Sequence, residues 1–245
     1  MIRLTTLTWL CSAYISGQVA ASNDCSLNIA AASDLAPLKQ KMVEAFGQVH
    51  SCKVSFSFSS SGQLASQIEQ GAPYDIYLSA SEEFVRKLSV SGHIEPNSVT
   101  VFARGRLGLW APKKSEPIRL RQLTDSYFKK VAIANPAHAP YGMAAKQTLQ
   151  QAGLWDALQA RLVFGENVRQ ALQFAETGNV EAVVTAWSLL KDRQGAVLID
   201  AGLHKEIRQT LGIVTSSSHK LAAKLFSRWL ASQEAKNLLV GFGFY

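Results

Sequence analysis

Four short stretches hold the residues best suited to chemistry: Ser33-Asp34, Ser60-Ser61-Gly62, Tyr141-Gly142 and Asn167-Val168. Each follows a run that reads as a strand and opens one that reads as a helix. Ser33, Ser61 and Tyr141 bring hydroxyls, whereas Val168 brings a backbone N–H alone. None of the four is Lys or Arg. Free N–H groups at helix starts, together with the positive end of the helix dipole, hold anions. A set made only of donors suits a fully ionised tetrahedral dianion, with selectivity left to cavity size and to acceptors that repel a protonated ligand. Helix capping accounts for any one of these turns; their fourfold recurrence points to a site. A serine nucleophile at Ser33 or Ser61 is disfavoured, because no G-x-S-x-G elbow and no Ser–His–Asp pattern accompany them. The five histidines (His50, His93, His138, His204, His219) are scattered, so no metal site and no cofactor are expected.

The positioning elements follow from local pattern. Leu27–Ala30 reads as a short buried strand, and Leu38, Met42, Val43 and Phe46 recur at helical spacing after Ser33-Asp34, with Pro37 tolerated in a first turn. Residues 53–58 alternate as a strand before the serines, and 63–70 read as a helix closed by Gly71. A buried strand within 71–80 precedes a helix over 81–90. Residues 99–111 are β-prone but interrupted by Arg104-Gly105-Arg106, as for a segment crossing between domains. A short connecting helix is expected at 123–128 and strands at 131–134, 162–164 and 182–185. Helices follow at 143–151 and 168–176, then a possible strand including Ile213-Val214, and helices over 221–230 and 233–240. Strands alternating with helices predict a mostly parallel α/β sheet in each half. No internal repeat is visible.

With 245 residues, 47% of them hydrophobic, the chain has ample core for one large or two small domains. Residues 1–21 read as a secretory signal peptide: Arg3, an apolar stretch from Leu4 to Ile15, then Val19-Ala20-Ala21. Cys11 lacks small residues before it and is not expected to be acylated. Cys25 and Cys52 each stand just before a predicted strand. If those strands are parallel neighbours the thiols lie side by side, and in an oxidising compartment a disulfide is predicted. The formal charge of +7 is spread along the chain rather than clustered with aromatics, which argues against nucleic acid.

Taken together, Ala30–Leu35 (AAASDL), Ser60–Ile68 (SSGQLASQI), Gly71–Ala80, Asn135–Ala145 (NPAHAPYGMAA), Gly153–Leu158 (GLWDAL), Glu166–Leu172 (ENVRQAL) and the Gly-Phe-Gly-Phe at 241–244 resemble, in order, the periplasmic molybdate-binding proteins of ABC transporters. The resemblance implies a type II-like periplasmic binding protein of two α/β domains closing like a hinge on an oxyanion. Residues 22–104 and 209–245 would form the first domain and 105–208 the second. Ser33 and Ser61 would each give hydroxyl and backbone N–H, Val168 its N–H, and Tyr141 the phenol that other members place at the position of Ala186. Asp34 would turn its carboxylate back as a helix cap and offer at most its backbone N–H, with Glu166 a second carboxylate to place.

The function so implied is capture of molybdate, with tungstate alongside, by a monomeric, non-enzymatic periplasmic receptor that hands it to a membrane permease. Alternatives are a sulfate or phosphate receptor of the same fold, a sensor receptor, and last a secreted serine hydrolase.

Overall fold

The computed structural model describes residues 25–245; the expected signal peptide and Cys11 lie outside them. Ten strands and nine α-helices alternate along the described residues. In the first half, β1 (Ser26–Ala32) leads through a 3-10 turn (Ser33–Leu38) into α1 (Lys39–His50). There follow β2 (Lys53–Ser59), α2 (Ser61–Glu69), β3 (Ile76–Ser79), α3 (Glu82–Val90) and β4 (Thr100–Gly105). The second half comprises β5 (Leu107–Trp110), β6 (Val131–Ala134), α4 (Pro140–Gln151), α5 (Trp155–Leu158), β7 (Leu162–Gly165), α6 (Val168–Glu176), β8 (Ala182–Ala186), α7 (Trp187–Leu190) and β9 (Val197–Leu198). The chain then returns through β10 (Ile207–Ile213) to α8 (Lys220–Leu230) and α9 (Gln233–Gly241).

Two five-stranded sheets result, ordered β2-β1-β3-β10-β4 and β7-β6-β8-β5-β9. In the first, β1 pairs in parallel with β2 and β3, and β10 runs against both neighbours. In the second, β6 pairs in parallel with β7 and β8, and β5 runs against its neighbours. Each sheet is therefore mostly parallel, with one reversed strand. Parallel sheets need cover on both faces, and each sheet has it. On one face of the first sheet Ile29 and Leu27 pack with Phe46, Phe226 and Trp229 of α1 and α8. On the other, Ala30 and Tyr77 pack with Leu64, Ile68 and Val85 of α2 and α3.

The β-prone segment 99–111 divides into β4 and β5, which belong to different sheets, with Arg106 alone between them. The return crossing lies between Leu198 and Ile207. The C-terminus braces the outgoing crossing at β4 and β5: Tyr245 exchanges both backbone hydrogen bonds with Arg104, and Arg106 Nε donates to the Gly243 carbonyl. The helix expected at 123–128 is instead a 3-10 turn at Leu120–Thr124; Leu123 and Phe128 both anchor into the core, which holds the stretch between them as a turn. Only the end of β10 was foreseen, since Arg208, Gln209 and Thr210 break its apolar run. Cys25 and Cys52 are joined, their Cα atoms 4.6 Å apart at the edge shared by β1 and β2.

Candidate functional site

The register of the parallel pairs decides where the four turns go. Ala32 lies opposite Ser59 at the carboxyl ends of β1 and β2, so Ser33 and Ser61 emerge side by side. Ala134 lies opposite Gly165 at the ends of β6 and β7, which brings Tyr141 and Val168 together in the same way. Both pairs face one small cavity, lined by Ser33, Asp34, Ser61, Tyr141 and Val168, with Ala32, Ala80 and Ala139 as small walls. None of those five polar or backbone-donating residues is more than 4% exposed. No Lys, Arg or His is part of the lining.

Each donor is held by its own surroundings. Ser61 is the first residue of α2, so no intrahelical carbonyl can take its N–H. Its Oγ accepts from the Ala80 N–H at 3.0 Å, which leaves the hydroxyl hydrogen to donate inward, and Tyr77 Oη donates to its carbonyl at 2.6 Å. The Ser33 hydroxyl donates to the Ser59 carbonyl at 3.0 Å and would have to turn to reach a ligand. Val168 is the first residue of α6. The Asn167 side chain accepts from the N–H groups of Arg169 and Gln170 at 3.0 and 3.2 Å, so the cap takes the next two donors and not that of Val168. Thr185 Oγ1 donates to the Val168 carbonyl at 3.0 Å.

Asp34 departs from its expected role. Ala32 occupies the capping position and no side chain caps the turn. The Asp34 carboxylate instead reaches across the cleft: Oδ2 accepts from the Tyr141 hydroxyl at 2.8 Å and from Gln209 Nε2 at 2.6 Å. The phenol assigned to the ligand therefore lines the cavity with its proton engaged by Asp34. A fully buried carboxylate finds its first-sheet and second-domain donors more favourable than a solvent-facing cap. Burial pushes the Asp34 carboxyl up to about 6 against the opposing pull of Tyr141, its own N–H, Gln209 and the Leu35 N–H. Burial, and then the charge of Asp34, push the Tyr141 phenol well above its ordinary range.

Glu166 stays out of the cavity. It accepts from Gln63 Nε2 at 2.6 Å and lies 3.5 Å from His138 Nε2, so it belongs to a strap across the mouth. Ser60 Oγ and His138 Nδ1 are 2.9 Å apart in the same strap, and the Gly62 N–H donates to the His138 carbonyl at 2.9 Å. A Cβ on Gly62 would sit 2.8 Å from that carbonyl oxygen, so only glycine allows the two halves to meet here. Ala186, fully buried at the end of β8, is not part of the lining. Asn167 was named from sequence only as part of its turn, and Gln209 and His138 were given no role there. An Asn before a helical run was a readable cap signal, whereas nothing local marks Gln209 or His138. Beside the mouth, an open groove carries Arg169, Arg193, Glu176 and Asp192. Among the described residues no cluster of His, Cys, Asp or Glu could hold a metal ion. No helix there is long and apolar enough to cross a membrane.

Residues 27–245 match the family model described as bacterial extracellular solute-binding protein. The chain belongs to that family. It is similar to the molybdate-binding protein ModA of Azotobacter vinelandii, at 33% identity over 87% of each chain. It is likewise similar to ModA of Rhodobacter capsulatus, at 32% identity over 78% of this chain and 77% of that one. Among solved structures, the Azotobacter vinelandii periplasmic molybdate-binding protein superposes with a TM-score of 0.83 at 27% identity, covering 89% of this chain and 98% of its own. The family is one of solute receptors rather than enzymes, and the paired mixed sheets described above are its architecture.

Proposed function

We propose that this chain is the periplasmic receptor of an ABC transporter that captures molybdate, and tungstate with it, and presents it to a membrane permease as a monomer. The observation that carries the reading is the buried, cation-free cavity on which four strand–helix turns converge with their hydroxyls and first-turn backbone N–H groups. Such preorganised neutral donors stabilise a desolvated dianion without a counter-charge. In this reading Ser33 and Ser61 give hydroxyl and N–H, Val168 gives its N–H, and Tyr141 adds its phenol by releasing Asp34. All bonds run to the oxo groups, and no protein atom ligates the metal. The domains divide at the two crossings, near 104/105 and 208/209, with the ends of β4 and β10 staying in the first sheet, and closure about these crossings is what the permease recognises. The likeness to the two ModA proteins supports the choice of ligand.

Isothermal titration calorimetry on ligand-stripped protein tests this. Tight one-to-one binding of molybdate and tungstate, with sulfate and phosphate inert, is the expected result. Binding of sulfate or phosphate in their place would overturn the ligand assignment while leaving the receptor reading intact.

A further inference from the structure

The Asp34 cluster has more acceptors than hydrogens to fill them. Asp34 Oδ2 takes two donors, yet Asp34 Oδ1 and Gln209 Oε1 are both buried acceptors with no partner. Buried acceptors left without donors are costly and rare. The groups facing Asp34 are few: Tyr141 from α4 is the titratable one, Gln209 from β10 is neutral, and Ser188 Oγ of α7 donates only to the Asp34 backbone carbonyl. His138 and Glu166 are tied to Ser60 and Gln63 at the rim. No ion pair involves Asp34 among the described residues. A dianion entering this cavity would therefore meet a carboxylate in its wall with no cation to offset the repulsion.

We propose that oxyanion binding at this site takes up one proton from solvent and that the proton resides on Asp34, making the neutral carboxyl a hydrogen-bond donor and a determinant of ligand choice. The balance is simple: carboxylate, proton and dianion combine into a carboxyl hydrogen-bonded to the dianion, with no bond broken in the ligand. A neutral O–H bonds most strongly to the more basic oxo group, so molybdate is favoured over sulfate, whose oxygens are weak bases, on top of any difference in size. The inference rests on the reading of the cavity as an oxyanion site. Burial already raises the Asp34 carboxyl to about 6, so below that pH the proton is in place and binding is insensitive to pH. Above it each molybdate must bring one proton in, and affinity falls as pH rises.

The test is calorimetry with molybdate at pH 5 and pH 8, each in two buffers of different ionisation enthalpy. Uptake of about one proton per molybdate at pH 8 and almost none at pH 5 is expected, with affinity falling about tenfold per pH unit above neutrality. Asp34→Asn, which supplies an amide donor without titrating, should abolish the uptake and flatten the profile. Binding by the unmodified protein at pH 8 with no proton uptake would overturn the proposal without any variant, as would an Asp34→Asn profile that still slopes. If sulfate binds in place of molybdate, the ligand assignment above falls, and the proton count with sulfate decides this proposal by the same criterion.

Discussion

The two halves of the cleft are built alike and furnished differently. In each, a central strand pairs in parallel with two others, β1 with β2 and β3, β6 with β7 and β8. In each, a hydroxyl from the third strand fixes the first residue of a site helix: Tyr77 donates to the Ser61 carbonyl, and Thr185 to that of Val168. The difference lies in what holds the donors. Ser33 and Ser61 are oriented entirely by their own sheet, through Ser59 and Ala80. Tyr141 is oriented across the cleft by Asp34. The first half thus holds one preformed donor at Ser61 and one, Ser33, that only has to turn within its own sheet, whereas the second half's side-chain donor is oriented by a partner in the other half. Preorganisation in one domain and assembly on closure in the other couple binding to the shape change a transporter reads.

The comparison can be broken most strongly at its covalent asymmetry. The disulfide Cys25–Cys52 ties β1 to β2, and the second half has no counterpart among the described residues. Cys52→Ser should lower stability by about 3–4 kcal/mol, from the entropy of a loop of this length, while leaving molybdate affinity within about twofold. Chemical denaturation and calorimetry together check this; a large loss of affinity at retained folding would show that the first half is less self-contained than described.

The Asp34–Tyr141 bridge makes the next contribution, and its sign depends on pH. The folded-state carboxyl stands at about 6 against an ordinary 3.8. A group raised on folding favours the native state below the lower value and loses that stabilisation as pH climbs through the upper one. Two units correspond to ~3 kcal/mol. Asp34→Asn should therefore gain stability relative to the parent between pH 4 and pH 7 and hold the gain above, read as a thermal midpoint difference that widens and then levels. A constant difference across that range would contradict the placement of the charge.

Closure itself is tested at Gly62. Valine there would press on the His138 backbone only when the halves meet, and overpacking of that kind costs about 1–3 kcal/mol. Molybdate affinity should drop up to about 100-fold with unfolding unchanged, and small-angle scattering should show the protein staying extended with ligand. Ser61→Ala, at the preformed donor, should weaken binding by about 1–3 kcal/mol through loss of a charge-assisted bond; unchanged affinity would remove Ser61 from the site. The smallest effect is expected at Glu166, which is more than half exposed and acts only in the strap. Glu166→Gln should alter affinity by less than about fivefold and less again in high salt, as exposed ion pairs do.

Much of the fold was legible because its signals are local. The helix at 168–176 and the strand at 131–134 were bounded by their own periodicity and neighbours. β10 was legible only at its end: Gln209 and Thr210 are fully buried yet polar, and only their partners in the sheet and in Asp34 make that burial tolerable. The likeness of the two halves was invisible too, since it resides in strand order and not in repeated residues. For the site, the turn chemistry singled out Ser33, Ser61, Tyr141 and Val168, and the structure brings all four to one cavity. Asp34 was misjudged because a carboxylate at a helix start usually caps it, and its real partner is 107 residues away.

What the sequence by itself determined is the alternation of strands and helices, the identity of the donors at the turns, and the exclusion of a cationic site, all consequences of residue type and short-range spacing. What only the tertiary structure decided is which turns share a cavity, where Asp34 sends its charge, and that Gly62 and His138 meet. Those depend on strand register and on domain closure, and contacts between distant residues leave no periodic trace in the chain that makes them.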